Sequence, residues 1–366
     1  MAARRALAAA VAAALVLAGC GGDSQAAGQG MSGAIPTTGP GEVPGPLQEA
    51  VTVRFGVFSN VTHAPGLVAL AEDGELRKLL PNATIAVSWF NSGTTAVEAM
   101  FSEAIDVTFI GPNPAINAFV KSDGTAVRII SGSTSGGAFL VVRPDITGPE
   151  DLRGTKIATP SLGNTQDVAL RSWLKEQGFE TDTAGGGDVS VVPQENAQTL
   201  ETFIAGTIDG AWVPEPWATR LITEGGAKVL VDERDLWPDG AYVTTHLMVA
   251  TTFLEENPEI VKRILLATIN AVDFVNENPV EAQAIVNDEI ERWTTKRLGE
   301  ELLSAAWGNL EFTVDPVASS LEESASDARE LGLLDDPGDI SGLYDLRLLN
   351  DILGALGRPA VEGLAP

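Results

Sequence analysis

Cysteine and histidine are nearly missing from this chain: its 366 residues hold one cysteine, Cys20, and two histidines, His63 and His246. Transition metals need clustered thiolate and imidazole ligands, so no metal site is expected. A single cysteine also excludes the disulfide framework of a small secreted protein. Basic residues are scarce, with 23 Lys and Arg against 50 Asp and Glu and a formal net charge of −27. No basic patch is available to displace phosphate counterions, which excludes nucleic acid as a partner, and the overall charge repels small anions at long range. There is no Gly-x-Ser-x-Gly elbow, Walker-type phosphate loop or ordered Rossmann glycine pattern, and Gly185-Gly186-Gly187 reads as a turn. Acid pairs such as Glu201 and Asp209 are unremarkable in so acidic a chain. No catalytic residue and no cofactor are expected.

What the chain does have begins with an export signal. Arg4 and Arg5 precede an apolar stretch, Leu7 to Leu17, with the length of a signal h-region and too short to span a bilayer. Leu17-Ala-Gly-Cys20 then resembles the bacterial lipobox, which implies cleavage before Cys20 and a lipid on its sulfur. Residues 1–20 are thus read as a lipoprotein signal and 21–50, rich in Gly, Ser, Pro, Gln and Thr, as a flexible tether. No later segment has the length and apolarity of a membrane-spanning helix, so a soluble body held at a membrane surface is expected.

From Val51 on, short β-branched runs alternate with helical patterns, the sign of an α/β fold with a largely parallel sheet. Five strands run into polar junctions. "VTVRFGVF" leads to Ser59-Asn60-Val61-Thr62-His63, where Thr62 is expected to cap a helix; "TIAVSWF" leads to Asn91-Ser92-Gly93-Thr94-Thr95, where Thr95 to Glu98 fits a capping box. "VTFI" leads to Gly111-Pro-Asn113-Pro, "TKIAT" to Pro160-Ser-Leu-Gly-Asn164-Thr165-Gln166, and "GAWV" to Pro214-Glu215-Pro216-Trp217. Strand-to-helix junctions of a parallel sheet share one edge, so free helix N–H groups should converge there. Each helix start carries roughly half a positive charge and can hold an oxyanion without a basic side chain. At any one junction, Ser92, Asn164 or Thr165 capping its own helix is the alternative. In Trp212-Val-Pro-Glu215-Pro-Trp217 a stiff loop puts one carboxylate between two indoles, either to clamp a ligand or with both indoles in the core and Glu215 capping the next helix. His63 is either an oxyanion donor or a bystander.

Two strands, "GGAFLVVRPD" and "DGAYVTTHLMVA", read as crossings of a bilobed molecule, with lobe I over 51–139 and 243–360 and lobe II over 142–240. Asn257-Pro258 and Asn278-Pro279 mark helix starts in a helical C-terminal region.

"FSNVTHAPGL", "FNSGTTAVEAMF", "FIGPNPAINAFV", "IATPSLGNTQDVALRSWL", "DGAWVPEPWATRL", "KVLVDERDLWPDG" and "VTTHLMV" together resemble the aliphatic sulfonate, nitrate and taurine class of ABC-transporter substrate-binding proteins, in order from about Val51 to beyond Phe312. The resemblance implies a type II periplasmic-binding-protein fold with two crossover strands, closing by hinge motion on a small anionic or zwitterionic solute and delivering it to a membrane permease. It implies a cleft lined by Asn60, Thr62, His63, Ser92, Gly93, Asn113, Ser135, Gly136, Asn164, Thr165, Gln166, Trp212 and Glu215. A monomer is expected, exported and lipid-anchored on the outer face of the bacterial cytoplasmic membrane, or in the periplasm. The alternatives are a binder of thiamine-pyrimidine precursors, a related enzyme of the same fold, and a signalling receptor.

Overall fold

The computed structural model describes residues 37–336 and 338–365, so the signal segment, Cys20 and the first part of the tether lie outside the described residues. The chain first lays down β1 (Thr52–Val57), α1 (Ala64–Leu70), α2 (Glu75–Leu79), β2 (Thr84–Trp89), α3 (Gly93–Phe101), β3 (Val107–Ile110), α4 (Pro112–Lys121) and β4 (Val127–Gly136). It then builds β5 (Ala138–Val142), β6 (Lys156–Thr159), α5 (Thr165–Glu176), β7 (Ser190–Pro193), α6 (Asn196–Ile204), β8 (Gly210–Pro214), α7 (Trp217–Gly225) and β9 (Lys228–Asp232). It returns through β10 (Val243–Ala250) and ends in α8 (Thr251–Glu256), α9 (Pro258–Glu277), α10 (Pro279–Thr294), α11 (Glu300–Trp307), β11 (Leu310–Phe312), α12 (Ala318–Glu330) and α13 (Arg347–Ala355).

The strands form two sheets, β11-β4-β10-β3-β1-β2 and β7-β6-β8-β5-β9, one for each lobe of a bilobed α/β fold. Parallel pairing of β1 with β2 and β3, and of β6 with β7 and β8, gathers their carboxyl ends at one edge of each sheet. β10 runs antiparallel to β3 and β4, and β5 antiparallel to β8 and β9. The chain passes between sheets twice, from β4 to β5 and from β9 to β10. At the first passage Gly136 and Gly137 hold φ of +75° and +74°, a region where a side chain would be strained.

Side-chain alternation explains the packing of the second sheet. On β5, Leu140 and Val142 face the α5 side while Phe139 and Val141 face α6 and α7, so both faces are covered and the strand reads as an unbroken apolar run. In the first lobe the long helix α9 is buried along much of its length, which accounts for its apolar residues between Ile260 and Val275. Pro258 and Pro279 each occupy the first helical position, where the missing N–H costs nothing, with Asn257 and Asn278 just before them.

Two local expectations shift. Thr62 caps no helix; it lies inside a short 3₁₀ turn, Val61–His63, and its carbonyl accepts from Thr134 Oγ1 at 2.7 Å. The cap of α3 falls on Ser92, whose hydroxyl takes the Thr95 N–H, because the helix begins at Gly93 and Thr95 is already in its first turn.

Candidate functional site

A cavity of about 50 Å³ lies where the two sheets present their carboxyl edges. At roughly 15 Å³ per water it holds a few waters or one small solute group. The starts of four helices border it: Ser92 and Gly93 of α3, Gly111 and Pro114 of α4, Asn164, Thr165 and Gln166 of α5, and Asn196 of α6. Asn60, Thr62 and His63, from the turn after β1, complete the first-lobe side. Asn164 shows how the sequence shapes this rim: with extended backbone it caps α5 by accepting the Asp167 N–H at 3.0 Å, leaving the Thr165 and Gln166 ends toward the cavity. Asp167 in turn takes the Gly163 N–H at 2.9 Å and the Thr159 hydroxyl at 2.8 Å, tying the whole loop to β6.

Among the described residues, no Lys, Arg, Asp or Glu lines the cavity. Any charge it favours must come from helix dipoles and neutral donors, and the helices concerned run from 9 to 12 residues, long enough to develop that field. α4 supplies fewer donors, since Pro112 and Pro114 lack N–H groups. His63 is 5% exposed and packs on Phe58 at 4.8 Å between ring centroids. Burial lowers its pKa to about 3, so it is a neutral imidazole at physiological pH. By contrast, a groove of about 750 Å³ between α1, α2, α9 and α10 is lined by eight acidic residues against Lys78 and Arg292, a field that rejects anions.

The lobes meet around the cavity. Trp217 Nε1 donates to Asn60 Oδ1 at 3.0 Å, Asn309 Nδ2 to Glu215 Oε1 at 2.7 Å, and Asn91 Nδ2 to Glu195 Oε1 at 3.4 Å. Thr165 presses so closely on Gly111 that a Cβ there would lie 2.7 Å from its Oγ1.

Of the residues expected in a cleft, Asn60, Thr62, His63, Ser92, Gly93, Asn164, Thr165 and Gln166 are brought together here. Five are placed elsewhere. Asn113 is 2% exposed on α4 and donates to the Ser324 carbonyl of α12 at 3.3 Å. Ser135 turns to a separate groove with Ala241 and Glu311, and Gly136 serves the crossover, its carbonyl accepting from Thr244 Oγ1. Trp212 sits on central strand β8, facing Trp173 and the α5 core, with Nε1 donating to Glu233 Oε2 at 2.6 Å. Burial pushes that carboxyl up to about 7 despite the indole donors of Trp212 and Trp237. Glu215 caps α7, accepting from Thr219 N at 3.1 Å and Thr219 Oγ1 at 2.8 Å, so its carboxyl is occupied by the protein; burial raises its pKa, against hydrogen bonds from Thr219 and Asn309.

The expected cleft residues did not include Phe58, Asn91, Gly111, Pro114, Pro160, Pro214, Thr244 and, most usefully, Asn196. Asn196 follows "SVVPQE", a sixth strand running into a polar junction, and the rule applied to the other five would have found it. Thr244 has no such local signal, since it enters the site from within the antiparallel return strand.

Comparison with known proteins agrees with this architecture. The taurine-binding periplasmic protein of Escherichia coli (strain K12) is 28% identical over 231 residues, covering 63% of this chain and 69% of that protein. The solved alkanesulfonate-binding protein SsuA from Xanthomonas axonopodis pv. citri bound to MOPS aligns over 81% of this chain and 99% of its own, with a TM-score of 0.67 at 16% identity. The periplasmic nitrate-binding protein NrtA from Synechocystis PCC 6803 aligns over 85% of this chain and 90% of its own, also with a TM-score of 0.67, at 18% identity. These structural likenesses show a shared bilobed fold. Residues 47–287, from the end of the tether through both crossings and into α10, match one family throughout: the chain belongs to the NMT1-like family.

Proposed function

We propose that this protein is the solute-binding component of an ABC importer, capturing a small anionic or zwitterionic compound between its lobes by hinge closure and passing it to a membrane permease. Aliphatic sulfonates or taurine come first and nitrate second. The observation that carries this reading is a half-open cavity bordered by four helix starts, with no charged side chain among the described residues that line it, the arrangement that favours an oxyanion without a cationic side chain. Relatives and fold neighbours named as taurine-, alkanesulfonate- and nitrate-binding proteins support it, whereas none of those named points to a pyrimidine precursor or to an enzyme. The moving bodies would be 51–139 with 243–360, and 142–240, acting in a monomer that binds and releases its solute unchanged.

A panel of thermal melts tests this. A solute at a hundredfold excess over its Kd adds about 2.7 kcal/mol to the folded state, so sulfonates or nitrate should raise Tm by several degrees. A rise with neutral pyrimidines alone would end the anion reading.

Export by the N-terminal segment and anchoring through a lipid on Cys20 complete the proposal, in keeping with a relative named as periplasmic. Cys20→Ser should release the protein from membranes into the soluble fraction, and unchanged membrane retention would defeat the anchor.

A further inference from the structure

The carboxamides that line the cavity carry no charge, yet they are one-sided in what they offer a solute. A carboxamide has an oxygen that accepts hydrogen bonds and an NH2 that donates them, and here the oxygens are already taken or closed off. Asn60 Oδ1 accepts from Trp217 Nε1 at 3.0 Å, Asn164 Oδ1 from the Asp167 N–H at 3.0 Å, and Gln166 Oε1 from Asn164 Nδ2 at 3.3 Å. Asn196 is 9% exposed, and its Oδ1 has essentially no accessible surface. The end that remains available on Asn60, Gln166 and Asn196 is the N–H donor, and all three residues line the cavity. Asn91 keeps a free oxygen, but it stands exposed at the rim, with Nδ2 donating to Glu195 Oε1 at 3.4 Å.

A proton on the solute therefore fares differently from a bare oxygen. Among the described residues no carboxylate lines the cavity; the nearby Glu215 and Asp167 are engaged by Thr219 and Asn309, and by Arg171, Thr159 and Gly163, and Glu195, beside Asn196, is exposed outside it. The Thr244 hydroxyl donates to the Gly136 carbonyl, and Ser92 Oγ accepts the Thr95 N–H. The Thr62 and Thr165 hydroxyls can turn either way, so the amides set the bias. A sulfonate presents three oxygens without a proton. A phosphonate monoanion carries a P–OH group, which would be buried here against N–H groups with no amide or carboxylate oxygen to receive it.

We propose that the site discriminates by protonation state: Asn60, Gln166 and Asn196 turn N–H groups on the solute and select oxyanions that carry no proton, sulfonates above all, over phosphonate monoanions of the same charge. This rests on the anion-binding reading above and narrows it. Size cannot separate the two head groups, since both are tetrahedral with three oxygens. A proton can, because a polar group buried without a partner is rejected more strongly than any small difference in apolar contact would achieve.

Calorimetric titration of the full chain with ethanesulfonate and ethylphosphonate tests this. At about pH 6 the sulfonate should bind at least about tenfold tighter, the effect of one donor left unpaired. The gap should narrow as the pH is raised to about 9, where a phosphoryl group has given up its second proton, while the sulfonate affinity holds steady. His63 is the one titratable side chain among the described lining residues, and with its pKa lowered to about 3 it stays neutral throughout, so the change belongs to the ligand. Asn196→Asp, which suits the first turn of a helix, supplies the missing acceptor: it should weaken ethanesulfonate more than the phosphonate monoanion and so shrink the gap at the lower pH. Equal binding of the two by the wild type at about pH 6, or a gap unmoved by raising the pH, would overturn the discrimination while leaving the anion site intact. A gap that a folded Asn196→Asp leaves unchanged would remove Asn196 from it. Binding of neither probe would overturn the sulfonate reading and this assignment with it.

Discussion

Gly111→Ala is expected to weaken solute binding by about 10- to 100-fold, in line with the 1–3 kcal/mol cost of overpacking a tight contact, while leaving the ligand-free melting temperature nearly unchanged. The backbone at Gly111, φ −71° and ψ 161°, suits alanine as well as glycine, so the substitution introduces no strain of its own. The added methyl meets Thr165 Oγ1 at 2.7 Å, and its next neighbour is the Thr244 carbonyl at 3.6 Å. Thr165 belongs to the opposite lobe and is 7% exposed, so it has little room to move aside. On the proposed hinge motion, the clash would exist only when the lobes are shut and would act on closure without touching the interior of either lobe. Titration of Gly111→Ala, Thr165→Ala and the double variant measures this directly: the two changes should couple, since removing Oγ1 relieves the clash. Additive losses, or a fall in ligand-free stability matching the fall in affinity, would place the contact inside one rigid body.

Asp167→Ala should be the most destabilising single change near the site, by about 3–5 kcal/mol, the usual consequence of stranding a buried charge. Asp167 and Arg171 are 0% and 2% exposed and pair at 3.0 Å one helical turn apart. Without the carboxylate, the guanidinium remains buried with only the Asp182 carbonyl, at 2.7 Å, for compensation. At roughly 2–4 °C per kcal/mol for a chain of this order, the melting temperature should fall by about 10 °C. Asp167→Ala with Arg171→Leu should recover much of that loss, because replacing a buried pair by apolar groups is often neutral. Binding should not return with it. The Thr159 and Gly163 bonds to the carboxylate would still be missing, and they fix the loop that presents Asn164 and Thr165. Full recovery of binding in the double variant would show that the loop does not depend on Asp167.

Much of this design can be read in the sequence because it is local. Strand, polar junction and helix lie next to one another in the chain, so the parallel strands of each sheet deliver their junctions to its carboxyl edge, Asn60 and Ser92 in one sheet and Asn164 in the other. The two crossings were legible for a similar reason: a Gly pair before an apolar run, and a turn-rich segment before another. What local pattern hid was depth along a strand, since positions i and i+2 share a face. Trp212 and Pro214 are two residues apart on β8, yet the indole is absorbed by the Trp173 core while the proline, at the strand's end, lines the cavity. Neighbouring positions on a central strand look alike in composition, and only burial of both sheet faces decides that an aromatic there is core. Glu215 was open for the opposite reason. A carboxylate before a helix can cap or bind, and the deciding partners, Thr219 four residues on and Asn309 nearly a hundred residues away, include one that no short window contains.

The central physical claim is that amide dipoles and neutral donors hold the anion, with no cationic side chain and no imidazolium. It is tested most directly by calorimetric affinity of the best-binding anion measured across pH and ionic strength. His63, with its pKa lowered to about 3 by burial, is uncharged well above that value and becomes cationic only as pH falls toward it. The Kd should accordingly stay within about threefold between pH 5.5 and 8.5, across the range where an ordinary histidine titrates. Raising a bulky-anion salt such as sodium gluconate should leave binding unchanged or strengthen it slightly, because it screens the repulsion of a chain carrying a formal net charge of −27. An affinity that collapses above about pH 6.5, or that falls steeply with salt, would show a positive side chain at the solute and contradict the claim.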